Sequence, residues 1–159
     1  MFTQKIKISV KVDGVEPPIF KDGSDWIDLR SSVDVITNYS HVIVPLGISV
    51  KLPAGTEAII APRSSSYKKF NISLTNGIGI IDNSYSGDLD EWKCSLRKED
   101  SDRVILINKN DRIAQFRVQL SQKATFIQKL KWLFCKLEIV YVDYTGDIDR
   151  GGFGSTGTK

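Results

Sequence analysis

Lys5-Ile6-Lys7-Ile8-Ser9-Val10-Lys11-Val12 alternates polar and apolar side chains without a break. A period of two places Ile6, Ile8, Val10 and Val12 on one face of an extended strand and the lysines on the other. Shorter runs of the same kind follow at 42–44, 48–52, 57–61, 92–96, 104–107, 113–118 and 137–142. Turn-forming groups separate them: Asp22-Gly23-Ser24, Pro53-Ala54-Gly55, Asn76-Gly77 and Asn108-Lys109-Asn110-Asp111. Many short strands with few helical stretches predict an all-β barrel or sandwich, a jelly-roll-like fold. No repeat at a fixed period marks the chain.

Working outward, 159 residues make room for one domain, and 41% hydrophobic residues suffice for a core. Lys and Arg number 22 against 19 Asp and Glu, a net charge of +3. That surplus is too small to imply a polyanion, so no nucleic acid is expected as partner. No apolar run approaches the length of a membrane span, and Met-Phe-Thr-Gln-Lys-Ile-Lys lacks the features of a signal peptide. No membrane association and a cytoplasmic location are therefore expected. Cys94 and Cys135 are too few for a disulfide framework and read as core thiols. The single histidine, His41, excludes a His-rich metal site and reads as a strand-edge residue.

One segment breaks the alternation. Phe126, Ile127, Leu130, Leu133, Phe134 and Leu137 fall at helical spacing, and 121–137 carries Lys123, Lys129, Lys131 and Lys136 with no acid. The plain reading is one short helix covering a sheet edge with its lysines in water. The sharper reading is a basic amphipathic surface that docks a protein partner or an anionic membrane. The segment also admits a strand. Residues 149–159 hold four glycines and one large apolar residue, Phe153, and cannot fold alone. A β domain over 1–148 with a flexible C-terminal arm over 149–159 is the expected organisation. An aromatic ring among glycines, hydroxyls and amides suits an arm that orders over a phosphate-bearing ligand.

Two runs point to chemistry. Pro62-Arg63-Ser64-Ser65-Ser66 ends an apolar strand with a guanidinium, hydroxyls and amides, a composition suited to an oxyanion. In Asn76-Gly77-Ile78-Gly79-Ile80-Ile81-Asp82-Asn83-Ser84-Tyr85-Ser86-Gly87, glycines between isoleucines suggest a hairpin whose backbone is closely approached. Asp82 beside the isoleucines is a candidate base, its pKa raised by desolvation unless a charge offsets it. Asp25, Asp28, Arg30 and Asp111-Arg112-Ile113-Ala114-Gln115 add polar groups at strand ends.

Taken in order, these runs resemble the five motifs of the trimeric dUTP pyrophosphatase (dUTPase) family. Asp28-Leu29-Arg30 is similar to the first motif, Pro62-Arg63-Ser64 to the second and Asn76 to Gly87 to the third. Arg112-Ile113-Ala114-Gln115 is similar to the fourth, and Gly152-Phe153-Gly154-Ser155-Thr156-Gly157 to the fifth. The resemblance implies a jelly-roll-like homotrimer with shared active sites that hydrolyses dUTP to dUMP and pyrophosphate with Mg²⁺. It implies that Asp82 orients and activates the water attacking the α-phosphorus, and that Asp28 holds the magnesium through water. Arg63, Ser64, Ser65 and Gln115 would contact the phosphates, and Tyr85 would pack on the deoxyribose and exclude a 2′-hydroxyl. The hairpin backbone through Asn76, Gly79 and Ile81 would read uracil. Phe153 would stack on the base, and Arg150, Gly154, Ser155 and Thr156 would close on the γ-phosphate.

The chain departs from the family pattern at three places. Arg150-Gly151-Gly152-Phe153 is two residues shorter than the usual Arg-Gly-x-Gly-Gly-Phe, Ser65 stands where a glycine is usual, and Trp26-Ile27 replaces a Gly-aromatic pair. The alternative enzyme is a dCTP deaminase of the same fold, whose essential glutamate would fall at Trp92. Glu91 is one residue away, on the opposite strand face. The alternative from another class is a nucleotide-gated protein-interaction module.

Overall fold

The computed structural model describes residues 2–152, so the arm residues Phe153, Gly154, Ser155 and Thr156 lie outside the described residues. Among the described residues the chain forms eleven strands and two short helices. In order these are β1 (Phe2–Val10), β2 (Ile27–Arg30), β3 (Val35–Thr37), β4 (His41–Lys51), β5 (Thr56–Pro62), α1 (Ser66–Phe70) and β6 (Ile72–Leu74). Then come β7 (Gly79–Asp82), β8 (Glu91–Lys98), β9 (Ile105–Ile107), β10 (Arg112–Leu120), α2 (Phe126–Leu133) and β11 (Cys135–Tyr141). One sheet runs β11-β1-β4-β8-β6, a second β2-β10-β5-β7, and β3 pairs with β9.

The period-two pattern produces this arrangement directly. Ile6 and Ile8 are fully buried and Lys5 and Lys7 exposed, but the alternation expected through Val10 and Val12 stops there. Ser9 is buried against the chain after β11, Val10 is exposed, and the strand ends at Val10. The neighbours of Ile6 and Ile8 on β4, Val44, Leu46, Ile48 and Val50, join one cluster with Ile27, Leu29, Ala58, Ile60 and Phe116 of the second sheet. The two sheets therefore share a core, the all-β, jelly-roll-like architecture expected. Trp92 and Phe116 seal it, edge to face with centroids 5.1 Å apart. Burying each such ring contributes about 1.5–3 kcal/mol.

Three details differ from the sequence reading. The runs at 42–44 and 48–52 are one strand, because a register irregularity between Pro45 and Ser49 absorbs the proline. At that bulge Ser32 donates to Pro45 O, and Gly47 donates to the Glu91 carboxylate at 2.9 Å. The short helix α1 follows the Arg63 turn and stops at Asn71, whose left-handed backbone caps it. Helix α2 begins at the capping box of Thr125 and Gln128, within the segment whose spacing predicts it. It does not lay its apolar side on the sheet. Phe126, Ile127, Leu130 and Leu133 are all exposed, and no residue of the helix is buried.

Both ends of the domain meet in one parallel pairing, Phe2 opposite Cys135 through Ile8 opposite Tyr141. Beyond β11 the chain keeps to this line, with Val142 donating to Ile8 O and Ser9 to Asp143 O. This carries residues 145–152 across the sheet toward β7.

Candidate active site

The motif residues fall into two groups at opposite ends of the second sheet. The first forms around Asp28. In β10, Gln115 lies opposite both Asp28 of β2 and Ala61 of β5, which brings three strand ends together. Arg63 reaches Asp28 at 3.2 Å, Arg112 reaches it at 3.2 Å, and Lys21 also donates to it. Burial pushes the Asp28 carboxyl upward, but hydrogen bonds from Lys21 and Arg112 and the Arg63 charge outweigh it and hold the group below the ordinary aspartate range. Ser64 and Ser65 follow Arg63 on an exposed turn, which is closed by Ser66 donating to Ile113 O and accepting from the Arg63 amide. Gln115 donates to Pro62 O at 3.2 Å. A cluster of cations with one carboxylate and an amide suits a polyphosphate.

The second group surrounds β7. Among the described residues this strand has a neighbour, β5, on one side only, so alternate backbone groups on its other side are open for pairing. Gly79 lies opposite Ile60, and a Cβ at that position would stand 3.3 Å from the Ile60 Cβ, so the strand packs as closely as it does because residue 79 is glycine. A cleft of about 340 Å³ opens here, lined by Asn76, Gly79, Ile81, Asp82, Tyr85 and Arg150 among others. That volume falls in the range of small-molecule sites.

Asp82 stands exposed at the end of β7, with Ser84 donating to it through both hydroxyl and amide, the amide at 2.8 Å. Arg150 reaches the two carboxylate oxygens at 3.2 and 3.3 Å. The Ser84 hydroxyl lowers the Asp82 pKa most. Burial opposes it, and the Ser84 amide and Arg150 reinforce it, so the group lies below the ordinary range. The offset the sequence reading required is therefore present. Tyr85 donates to Glu91 O at 3.1 Å, and burial with the charges of Asp90 and Glu91 pushes its phenol up.

Four contributors were given no part in hydrolysis by the sequence reading, though only Lys21 went unmentioned there. Lys21 and Arg112 complete the cation cluster, and Arg112 was visible as the first residue of its motif. Trp92 and Glu91 line the cleft from β8. The Trp92 indole N–H is buried without a partner among the described residues. The Glu91 carboxylate is engaged by the Gly47 amide.

Among the described residues no three His, Cys, Asp or Glu side chains stand close enough to cage a cation. A lone carboxylate such as Asp28 fits a hydrated magnesium held chiefly by phosphate oxygens, the usual way that ion is bound.

The dUTPase family model matches residues 22–132. A prophage-derived deoxyuridine 5′-triphosphate nucleotidohydrolase of Bacillus subtilis is 43% identical over 136 residues, 85% of each chain. This chain belongs to the dUTPase family. A deoxyuridine 5′-triphosphate nucleotidohydrolase of Neorickettsia sennetsu is 32% identical over 90% of this chain and 88% of its own. The dUTPase of Streptococcus mutans shares the fold, with a TM-score of 0.64 at 16% identity over 72% of this chain and 94% of that one. With the family shown, the chain is a hydrolase of nucleotide metabolism.

Proposed function

We propose that this dUTPase hydrolyses dUTP to dUMP and pyrophosphate at sites shared between chains, with Asp82 as the base for the attacking water. The observation that carries the reading is Asp82: an ionised carboxylate at the mouth of a nucleoside-sized cleft with an open strand edge beside it. Uracil offers acceptor, donor and acceptor along its pairing edge, and an N–H and C=O of β7 can match them without any side chain. Cytosine at the same edge would leave buried backbone groups unpaired at about 1–3 kcal/mol each. The Tyr85 ring then packs on the deoxyribose and excludes a 2′-hydroxyl.

Asp82 accepts a proton from the water and aims it at the α-phosphorus. Arg63, Ser64, Ser65 and Gln115 hold the phosphate chain in line, with Arg112 and Lys21 adding charge. Magnesium, held through water at Asp28, would supply neutralisation of the phosphate oxygens during displacement. Arg150, Phe153, Gly154, Ser155 and Thr156 belong to the arm that covers the nucleotide. Assayed side by side, dUTP should be turned over at least tenfold faster than UTP, dCTP or dTTP. Equal rates on dCTP with ammonia release would instead make the chain a deaminase.

Geometry supports the shared site and, with it, the homotrimer. Asp82 pairs with Glu57 at one end of β5, and Arg63 follows Pro62 at the other. At about 3.3 Å per residue, roughly 20 Å of sheet separates them. The phosphate cluster of one chain and the hairpin cleft of another would then serve one nucleotide. Asp82→Asn and Arg63→Ala chains, each inactive alone, should recover activity when mixed, with roughly one site in four intact by random assortment in a closed ring. No recovery on mixing would place both groups in one chain's site. The exposed apolar side of α2 lies outside both groups, and we assign it to a protein partner rather than to hydrolysis.

A further inference from the structure

Two tetrads of the same form, Gly87-Asp88-Leu89-Asp90 and Gly146-Asp147-Ile148-Asp149, lie beside each other, with Gly87 and Asp147 joined by a parallel bridge. Their carboxylates cross over reciprocally. Asp88 of the first accepts from the Thr145 amide at 2.7 Å and from its hydroxyl at 3.1 Å. Asp147 of the second accepts from Ser86 at 2.7 Å and from Lys51. Asp149 accepts from the Leu89 amide at 2.6 Å. The approach is so close that a Cβ on Gly87 would stand 2.5 Å from the Asp149 Cα.

Asp90 ends this row, and it is fully buried. Its oxygens accept from the Gly87 amide at 3.0 Å, from the Arg150 amide at 2.9 Å and from the Gly151 amide at 2.8 Å. A buried carboxylate is costly unless hydrogen-bonded. Among the described residues, two of those that donate to Asp90 belong to the arm and one, Gly87, to the β domain. Docking of the arm is thus what completes the solvation of Asp90. Just beyond the contact, Arg150 lies on Asp82, and a Cβ on Gly152 would stand 2.9 Å from the Tyr85 hydroxyl.

We propose that Asp90 is a positioning residue that clasps the root of the arm, holding Arg150 and Gly151 at the cleft beside Asp82. The inference rests on the arm taking part in hydrolysis, as proposed above.

The test is a double-mutant cycle between Asp90→Asn and removal of residues 150–159. The asparagine keeps the shape of Asp90 but replaces one acceptor with an NH₂ that faces amide donors. In the full chain kcat/KM for dUTP should fall at least tenfold, whereas in the truncated chain the same substitution should change it less than twofold. A role confined to the β domain would lower both equally, and that result overturns the clasp. Trypsin gives a readout independent of turnover: release of the 151–159 peptide should be at least tenfold faster from Asp90→Asn than from the parent. Equal release from the two also overturns it. If the parent fails to hydrolyse dUTP, the proposed function falls, while the trypsin comparison still decides the clasp. Should Asp90→Asn not fold, Arg150→Pro must show at least tenfold lower kcat/KM than Arg150→Ala, because the two lack the same side chain and differ in the amide that donates to Asp90; equal values overturn the clasp.

Discussion

Asp82→Asn is expected to lower kcat on dUTP by about 10²- to 10⁴-fold, the contribution of a positioned general base. The substitution is nearly isosteric, and the asparagine oxygen still accepts from Ser84, so the hairpin and cleft stay as they are. Binding of a non-hydrolysable dUTP analogue, followed by calorimetry, should therefore change by only a few-fold. A rate loss below tenfold removes Asp82 from the base role. The pH dependence follows from the same contacts. Asp82 acts when ionised, and the Ser84 hydroxyl, its amide and Arg150 hold its pKa below the ordinary aspartate value. The acid limb assigned to Asp82 in kcat/KM should accordingly lie below about pH 3.9, leaving that limb flat down to mildly acidic pH. Those contacts also weaken the carboxylate as a base. Substrate phosphates compete for Arg150, and its transfer to them would return basicity to Asp82 at the moment the water must be activated.

Much of this molecule was legible where one face of a strand is buried, as in β1, β5 and β8. Ile6 and Ile8 sit in the core and Lys5 and Lys7 in water, as a period of two requires. Pro45 and Gly47 misled in the ordinary direction: they signal a break, yet a bulge with hydrogen bonds to Ser32 and Glu91 carries β4 through them. The spacing of Phe126, Leu130 and Leu133 foretold a helix but not its partner, because periodicity identifies an apolar side and says nothing of what it faces. At the site, motif order indicated which residues matter. It could not show that Asp28 and Asp82 belong to opposite ends of one sheet, since that depends on the register of β5 against β7 and β10. Asp90 was hidden for another reason. Its meaning lies in a tetrad that recurs about sixty residues later, and only the parallel bridge at Gly87 brings the two copies together.

Removal of residues 150–159 should leave the β domain folded and reduce turnover by two to three orders of magnitude. The stability side follows from what the segment buries: Arg150, Gly151 and Gly152 are exposed, and Gly-rich ends contribute little. Among the described residues the largest loss is the two amides that reach Asp90, about 1–3 kcal/mol for a group left short of partners, or a few degrees in melting temperature for a domain of this size; the exposed Arg150–Asp82 pair adds little. The catalytic side is larger because several effects end together. Base–aromatic stacking from Phe153 is worth about 1–3 kcal/mol, and Phe153→Ala should reproduce that share. On the proposed roles, the donors of Arg150, Ser155 and Thr156 to the γ-phosphate would go as well, and water would gain access to the cleft. Thermal melting and steady-state kinetics on the same preparation separate the two sides. A truncated chain that melts near the parent and turns over at the parent's rate would show that the arm has no part in hydrolysis. One that fails to fold would show that the clasp on Asp90 is part of the core rather than a device laid over it.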